Sequence, residues 1–398
     1  MLTSSPTLRT VWVLVAMLAT AAGLVAYDAA VAAAPVNPQL VELAGKRHHK
    51  TPILNKAFVT SATFTGDLGG QKGADAKCAR AAKAAGLSGT FKAWLSNSKR
   101  NAKDKLGTAR GFVRVDGQPF ADRVSDILAG RILNPLDIDE NGDAHPDGRN
   151  GVWTGTLGDG TVANTPPPPG FTPGDTCSDW TSNFFETQGD TGVSSYGPTF
   201  WTDNLENAGN SCSSEQSLYC FDTSHVTPLT VTKTPGRIAF VSKGTLDNTS
   251  GIAGADTLCA TEASAASLPG TFQALLSTST TPAAMRSGFN FLAMSEPYVR
   301  PDGIKIADAP TIASGAPLDS GIWQNADGTY VTTFSLPWTG SSAPSSPTTT
   351  AQTCDDWSTN SDPASGDIGE TRDSGEFWWN AVTTALCGNS LPIYCLQE

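Results

Sequence analysis

The densest set of chemically capable side chains is the segment Asp137-Ile138-Asp139-Glu140-Asn141-Gly142-Asp143-Ala144-His145-Pro146-Asp147. Oxygen-bearing residues at alternate positions, with a glycine at the sixth, are what a chain needs to wrap a hard cation such as calcium. Asp137, Asp139, Asn141, Asp143 and Asp147 are the candidate ligands. Gly148 stands where an EF-hand places its bidentate acid, so closure falls to Asp147 or to a remote carboxylate. The bland alternative is a solvated acidic turn. Acid catalysis has less to build on. His145 is the one histidine inside a domain body, it has no nucleophile motif nearby, and acid pairs such as Asp355 and Asp356 arise in any acidic chain. The expectation is therefore a protein without catalysis. Asn248-Thr249-Ser250 is a glycosylation sequon, relevant only in a host that glycosylates.

The elements that must hold such residues are marked by eight cysteines in two groups of four. Cys78, Cys177, Cys212 and Cys220 are separated by 99, 35 and 8 residues, and Cys259, Cys354, Cys387 and Cys395 by 95, 33 and 8. Neighbouring residues repeat with them. Gly73-Ala74-Asp75 returns as Gly254-Ala255-Asp256, Gly89-Thr90-Phe91 as Gly270-Thr271-Phe272, and Val113-Arg114 with Asp116-Gly117 as Val299-Arg300 with Asp302-Gly303. Trp153-Thr154-Gly155 returns as Trp338-Thr339-Gly340, and Asp179-Trp180 as Asp356-Trp357. The chain is one domain, duplicated, although the acidic loop at Asp137 has no matching pattern in the second copy. Ala57-Phe58-Val59 and Ala239-Phe240-Val241 read as opening strands. Ala74 to Ala85 and Ala255 to Ala266 read as helices carrying Cys78 and Cys259 on one face. Thr90 to Ser96 reads as a buried strand or short helix. The later half of each copy, rich in Gly, Asp, Asn and Trp, reads as loops pinned by disulfides.

Residues 10–26 are an apolar run behind Arg9, leading to the small residues Ala29 to Ala34. That layout is a secretory signal over 1–34, with an uncleaved anchor as the competing reading. Residues 35–55 are a polar tether, 56–221 the first domain, 222–236 a Thr- and Pro-containing linker, and 237–398 the second domain. In an oxidising compartment the even cysteine count reads as a disulfide framework. Four cysteines per copy allow three pairings, and spacing alone does not choose among them. The net charge of −12, without basic runs, argues against nucleic acid, anionic lipid and heparin-like polyanions as partners. Membrane contact is left to an uncleaved N-terminal segment.

The order of these motifs resembles endostatin, the C-terminal domain of collagen types XV and XVIII, a variant of the C-type lectin fold. The matching residues are Gly73 to Cys78, Ala84 to Ser96, Ala121 to Arg123, Val152 to Gly155, Cys177 to Trp180 and Cys212 to Cys220. Similar domains occur in bacterial secreted proteins. The resemblance implies an α+β fold of two tandem endostatin-like, C-type-lectin-like domains. It also implies first-to-fourth and second-to-third pairing: Cys78 with Cys220, Cys177 with Cys212, Cys259 with Cys395 and Cys354 with Cys387. Family ligands transfer poorly. Heparin binding in endostatin uses an arginine-rich face that this chain lacks, and its zinc site uses a histidine where Lys56 stands here, although His48 and His49 lie upstream. Trp201-Thr202-Asp203-Asn204 is similar to the Trp-Asn-Asp sugar motif of C-type lectins, which makes Trp201, Asp203 and Asn204 candidate ligand residues. Trp323 and Trp379, which lack counterparts in the first copy, join them as surface candidates, whereas the other tryptophans read as core.

The functional expectation is an exported binding or adhesion protein of the cell surface or extracellular matrix. Its loops would recognise a polysaccharide or a protein, two linked copies would add avidity, and calcium is a candidate cofactor. The alternative is a structural envelope or matrix component with no small ligand.

Overall fold

Phe58 and Val59 are fully buried in strand β1 (Asn55–Val59), the first regular element of the computed structural model, which describes residues 52–145, 151–163, 176–204 and 209–398. The signal, most of the tether and Asp147 lie outside these residues. Helix α1 (Gly70–Ala84) follows, with Ala74, Cys78 and Ala82 buried on one stripe at four-residue spacing. It starts four residues earlier than its alanines predict. Gly69 and Gly70 take left-handed φ values of 76° and 69°, so the backbone turns into the helix with no side-chain cap to signal it.

The first copy continues through β2 (Phe91–Ala93), α2 (Ala102–Leu106), β3 (Arg110–Arg114), β4 (Pro119–Arg123), α3 (Val124–Leu128), β5 (Gly151–Trp153), β6 (Gln188–Gly189), β7 (Thr191–Val193), β8 (Asn210–Ser211) and β9 (Ser217–Asp222). Its main sheet has the order β4-β3-β1-β9-β5-β7, with β2 also on β9. β1 runs parallel to β3, with Asn55 opposite Phe112, and antiparallel to β9, with Phe58 opposite Cys220. The second copy comprises β10 (Arg237–Val241), α4 (Gly251–Ala265), β11 (Phe272–Ala274), β12 (Tyr298–Val299), β13 (Lys305–Ala307), α5 (Ala309–Ser314), β14 (Ser365–Asp367), β15 (Thr384–Leu386) and β16 (Tyr394–Gln397). Its sheet order is β11-β16-β10-β12-β13, again with the first strand antiparallel to the last, Phe240 opposite Cys395. The fold is mixed α+β, with short helices and many strands.

Four disulfides lock this arrangement: Cys78–Cys220, Cys177–Cys212, Cys259–Cys395 and Cys354–Cys387. Chain-entropy arguments assign about 5 kcal/mol to each long loop and about 4 kcal/mol to each short one. The Gly-Ala-Asp-x-x-Cys motif now has a physical reason. One turn before the cysteine that fastens α1 to the last strand, Asp75 accepts from the Ala93 amide at 2.9 Å and pairs with Lys105 at 2.9 Å. Asp256 does the same with the Ala274 amide at 3.0 Å and Arg286 at 2.6 Å.

The Cys-x-Asp-Trp motif has a geometry that its residue types hide. Cys177 to Trp180 have φ values of 47°, 54°, 57° and 66°, and Cys354 to Trp357 of 48°, 55°, 55° and 63°. Each is a left-handed helical turn, which costs roughly 1–2 kcal/mol per non-glycine residue. The disulfide holds one end. Ser98 donates its amide (2.8 Å) and hydroxyl (2.7 Å) to Asp179, and the Trp180 indole donates to the Ser96 carbonyl at 2.6 Å. Ser279 serves Asp356, and the Ser277 carbonyl accepts from Trp357, in the second copy.

Trp153 packs on Trp180 at 5.8 Å between ring centroids, and Trp338 on Trp357 at 5.6 Å. Trp94, Trp201, Trp323, Trp378 and Trp379 are buried too. This corrects the expectation that Trp201, Trp323 and Trp379 form a ligand surface. Trp201 sits against Trp94, Phe120 and Tyr219, while the Trp379 indole donates to the Ser341 carbonyl at 2.9 Å. Among the described residues no helix is long and apolar enough to cross a membrane.

Residues Pro52–Glu398 form one unit, in which the copies meet through equivalent segments. Gly192 and Gly369 each lie against a tryptophan carbonyl, that of Trp201 and of Trp378, where a Cβ would clash. This sets Tyr196 and Asp373 at matching positions, and these two residues form an antiparallel bridge with each other. Gly197 donates to the Arg372 carbonyl at 2.8 Å and Ser374 to the Ser195 carbonyl at 3.0 Å. The junction is thus self-complementary, as in an isologous dimer interface. Buried Arg300 strengthens it by donating to the Leu133 carbonyl at 2.7 Å.

Candidate functional site

The acidic loop is a hairpin turn. Asp139 donates its amide to the Asp143 carbonyl at 2.8 Å, and its carboxylate accepts from the amides of Asn141 (2.8 Å) and Asp143 (3.0 Å). Gly142, at φ 91°, supplies the left-handed corner. Glu140 accepts from the amide and hydroxyl of Ser61, and Asp137 pairs with Arg114 at 2.5 Å. The second copy builds the same turn from different residues. The Asn325 amide donates to Thr329, Gly328 sits at φ 80°, and Trp323 stands where Asp137 does, under the Arg300 guanidinium at 5.2 Å. The carboxylates of Asp137 and Asp139 are therefore engaged in holding an arginine and a turn, and Asn141 and Asp143 are exposed at its tip. Among the described residues no group of three His, Cys, Asp or Glu side chains could hold a metal ion. Two of the candidate ligands thus already serve the fold, and Asp147 lies outside the described residues. His145, just beyond it, is buried between the hydroxyls of Ser194 (3.1 Å) and Ser217 (2.9 Å), and burial pushes its pKa down. Asn248 of the sequon is also buried, its amide donating to the Cys387 carbonyl at 2.8 Å, so it is closed to glycosylation in the folded chain.

The Trp201-Thr202-Asp203-Asn204 segment divides in two. Trp201 and Asn204 face the interior, Asn204 donating its amide to the Thr191 carbonyl at 3.0 Å. Asp203 instead lines a cleft of about 570 Å³ between the two copies, with Leu128, Asp159, Thr199, Phe200 and, from the second copy, Thr332 to Phe334. That volume lies within the roughly 300–1,000 Å³ of small-ligand sites.

The cleft is built by the junction. Thr199 donates its hydroxyl to the Thr332 carbonyl at 3.2 Å, holding the second-copy strip against the first. Buried Arg372 stacks on Phe334 (4.5 Å), Tyr196 (4.6 Å) and Phe200 (5.2 Å), while its Nε donates to Glu370 at 3.0 Å. Tyr196 donates its hydroxyl to the same carboxylate at 3.1 Å. Phe334 thereby rests on a buried cationic support, yet the residue is 46% exposed. At the opposite lip Thr161 donates its amide (2.9 Å) and hydroxyl (2.5 Å) to Asp159. These hydrogen bonds, the hydroxyl's foremost, keep the Asp159 carboxyl below its ordinary pKa. The result is an aromatic platform, two carboxylates and several hydroxyls in one concavity.

Of the sequence-derived ligand candidates among the described residues, only Asp203 reaches this cleft. Phe334, Asp159, Thr199 and Arg372 were not singled out by sequence reasoning. The available signal was that Phe334 lies in Thr332-Thr333-Phe334-Ser335, an apolar ring among small polar residues between two repeated motifs. Comparison with known proteins finds no family model that matches the chain and no curated protein that matches it.

Proposed function

We propose that the chain is an exported, non-enzymatic binding protein of the cell surface or extracellular matrix. In this reading it is made of two tandem endostatin-like domains of the C-type-lectin-like fold, and it holds a polysaccharide in the cleft between them. The first-to-fourth and second-to-third disulfides, and the pairing of the first strand with the last in both copies, support the domain reading. Four disulfides support an oxidising, extracellular setting. The observation that carries the binding reading is the half-exposed Phe334, seated in a concavity with carboxylate and hydroxyl neighbours. Sugars present C–H faces that stack on such rings and hydroxyls that donate to carboxylates.

Glycan-array screening of the oxidised chain, followed by calorimetry on the hits, tests this. Phe334→Ala is expected to weaken binding about tenfold or more while leaving the unfolding midpoint nearly unchanged, as suits an anchor residue at a binding site. A chain that binds no glycan, or one whose binding ignores Phe334, would favour the structural alternative in which the domains only pack against neighbours.

A further inference from the structure

The net charge of −12 hides a basic face. Helix α1 carries Lys72, Arg80 and Lys83 on the side turned away from its buried stripe of Ala74, Cys78 and Ala82, with Lys77 at the margin of that side. At 1.5 Å of rise per residue the four cations extend over about 16 Å. Lys72, Arg80 and Lys83 are exposed, and among the described residues none of them pairs with a carboxylate. Lys77 holds its ammonium over the Phe64 ring at 4.5 Å. The helix's one acid, Asp75, is committed to Lys92, Lys105 and the Ala93 amide. Residues 52–145, which carry this helix and its flanks, are described throughout. The duplicate shows that the fold does not require these charges. Helix α4 buries the matching stripe of Ala255, Cys259 and Ala263, yet has Ala253, Leu258, Thr261 and Ser264 where α1 has its four cations. Solubility does not require them either, since in a chain of net charge −12 four cations lower the magnitude of the charge.

The second copy offers a surface of opposite sign. Asp247, Asp355 and Asp362 are exposed around the Cys354–Cys387 disulfide. Asp355 follows Cys354 directly, Asp247 precedes the Asn248 that donates to the Cys387 carbonyl at 2.8 Å, and Asp362 lies beside Gly388. Among the described residues none of the three is in an ion pair. Between residues 226 and 398 seven Lys and Arg stand against sixteen Asp and Glu. Of those cations Arg237, Lys243, Arg286, Arg300, Lys305 and Arg372 each already have a carboxylate. We infer that the basic face of α1 in one chain docks on this acidic rim in the second copy of another chain, so that chains associate head to tail. The contact is heterologous, and nothing in it requires the cleft to hold a ligand. Each exposed ion pair is weak, so association belongs to the micromolar range.

Light scattering on the oxidised chain over about 1–100 μM, at about 0.1 M and again at about 1 M salt, tests this. At the lower salt a screening length of about 10 Å hides the repulsion between distant acids but not the contacting pairs, and at the higher it falls to about 3 Å. The weight-average mass is expected to rise above that of one chain with concentration at the lower salt and to return to one chain at the higher. Lys72→Glu with Lys83→Glu should stay a single chain, and so should Asp247→Lys with Asp355→Lys. An equimolar mixture of these two variants should associate again, because each reversed face then meets one of opposite sign. Lys72→Ala with Lys83→Ser, which carries the residues of α4 at both positions, should lose association as well and keeps the test readable if charge reversal disturbs folding. A wild-type mass of one chain at every concentration would overturn the inference, as would association that survives the helix substitutions or is not restored in the mixture. Wild-type chains that stay single yet bind phosphatidylglycerol vesicles through Lys72 and Lys83 would assign the face to a membrane surface instead.

Discussion

Asp137 illustrates how one residue type supports two chemistries. At alternate spacing with Asp139 and Asp143 it reads as a cation ligand, yet in the fold its carboxylate meets Arg114, and the equivalent Arg300 meets the Trp323 ring. Spacing along the chain cannot reveal this, because Arg114 approaches from a different strand. Asp137→Ala is expected to lower stability by about 0.5–1.5 kcal/mol, since the largely buried Arg114 guanidinium loses one carboxylate but keeps Asp116 and the Pro135 carbonyl. Neither calcium nor a chelator should move the urea midpoint of the wild type or the variant. A calcium-dependent rise in the wild-type midpoint would reinstate the cation loop. Asp203 and Phe334 divide in the same way. The aspartate was legible as a ligand candidate, whereas Phe334 acquires its role only from the Arg372 guanidinium beneath it.

At the scale of elements, the left-handed turns at Cys177–Trp180 and Cys354–Trp357 are the least legible feature of the chain. Only the aspartates of Cys-Ser-Asp-Trp and Cys-Asp-Asp-Trp visit positive φ with any ease, and no glycine marks the turn. Tertiary partners impose it. Burial disfavours the charged form of Asp179, but the hydrogen bonds from Ser98 outweigh this and hold its carboxyl below the ordinary range. Asp356 behaves alike with Ser279. Asp179→Ala and Asp356→Ala should each lower the denaturation midpoint by an amount equivalent to about 1–2 kcal/mol. Ser178→Ala, at the exposed position of the same turn, should stay within about 0.5 kcal/mol of wild type. Equal effects at the two positions would mean that the Ser98 contacts do not support the turn. The helices α1 and α4, by contrast, were legible from alanine content and cysteine placement, apart from starts set by backbone glycine geometry.

The whole molecule is organised by the self-complementary junction, and its pH response should report on it. Asp373 lies buried there, where burial raises its pKa to about 6, against the lowering effect of the Gly375 and Phe377 amides and Ser195, and with Glu370 nearby adding to the rise. An aspartate of the unfolded chain titrates near about 3.9. The folded chain therefore holds this proton more tightly, so its contribution is fully present below about pH 4 and is lost as pH rises through about 6, amounting to about 3 kcal/mol. Asp116, Asp122 and Asp302 act in the opposite sense. Burial opposes their ionisation, but their arginine partners hold them below the ordinary range, and the stability they contribute above about pH 4 is lost as pH falls. Urea titrations from pH 3 to 8 should show a maximum between these limits, and Asp373→Asn should flatten the alkaline side alone. An unchanged profile in that variant would place the titrating group elsewhere. The sequence by itself determined the duplication, the secondary-structure class and, in each copy, the opening strand and the helix that carries the first cysteine, because these follow from local periodicity and from residues that recur at fixed spacing. Only the tertiary structure decided which tryptophans are buried, which acids hold arginines and where a cleft opens. Those outcomes depend on contacts between distant segments, such as Ser320 with Leu133, 187 residues apart, and one-dimensional spacing carries no record of which distant surfaces will exclude water together.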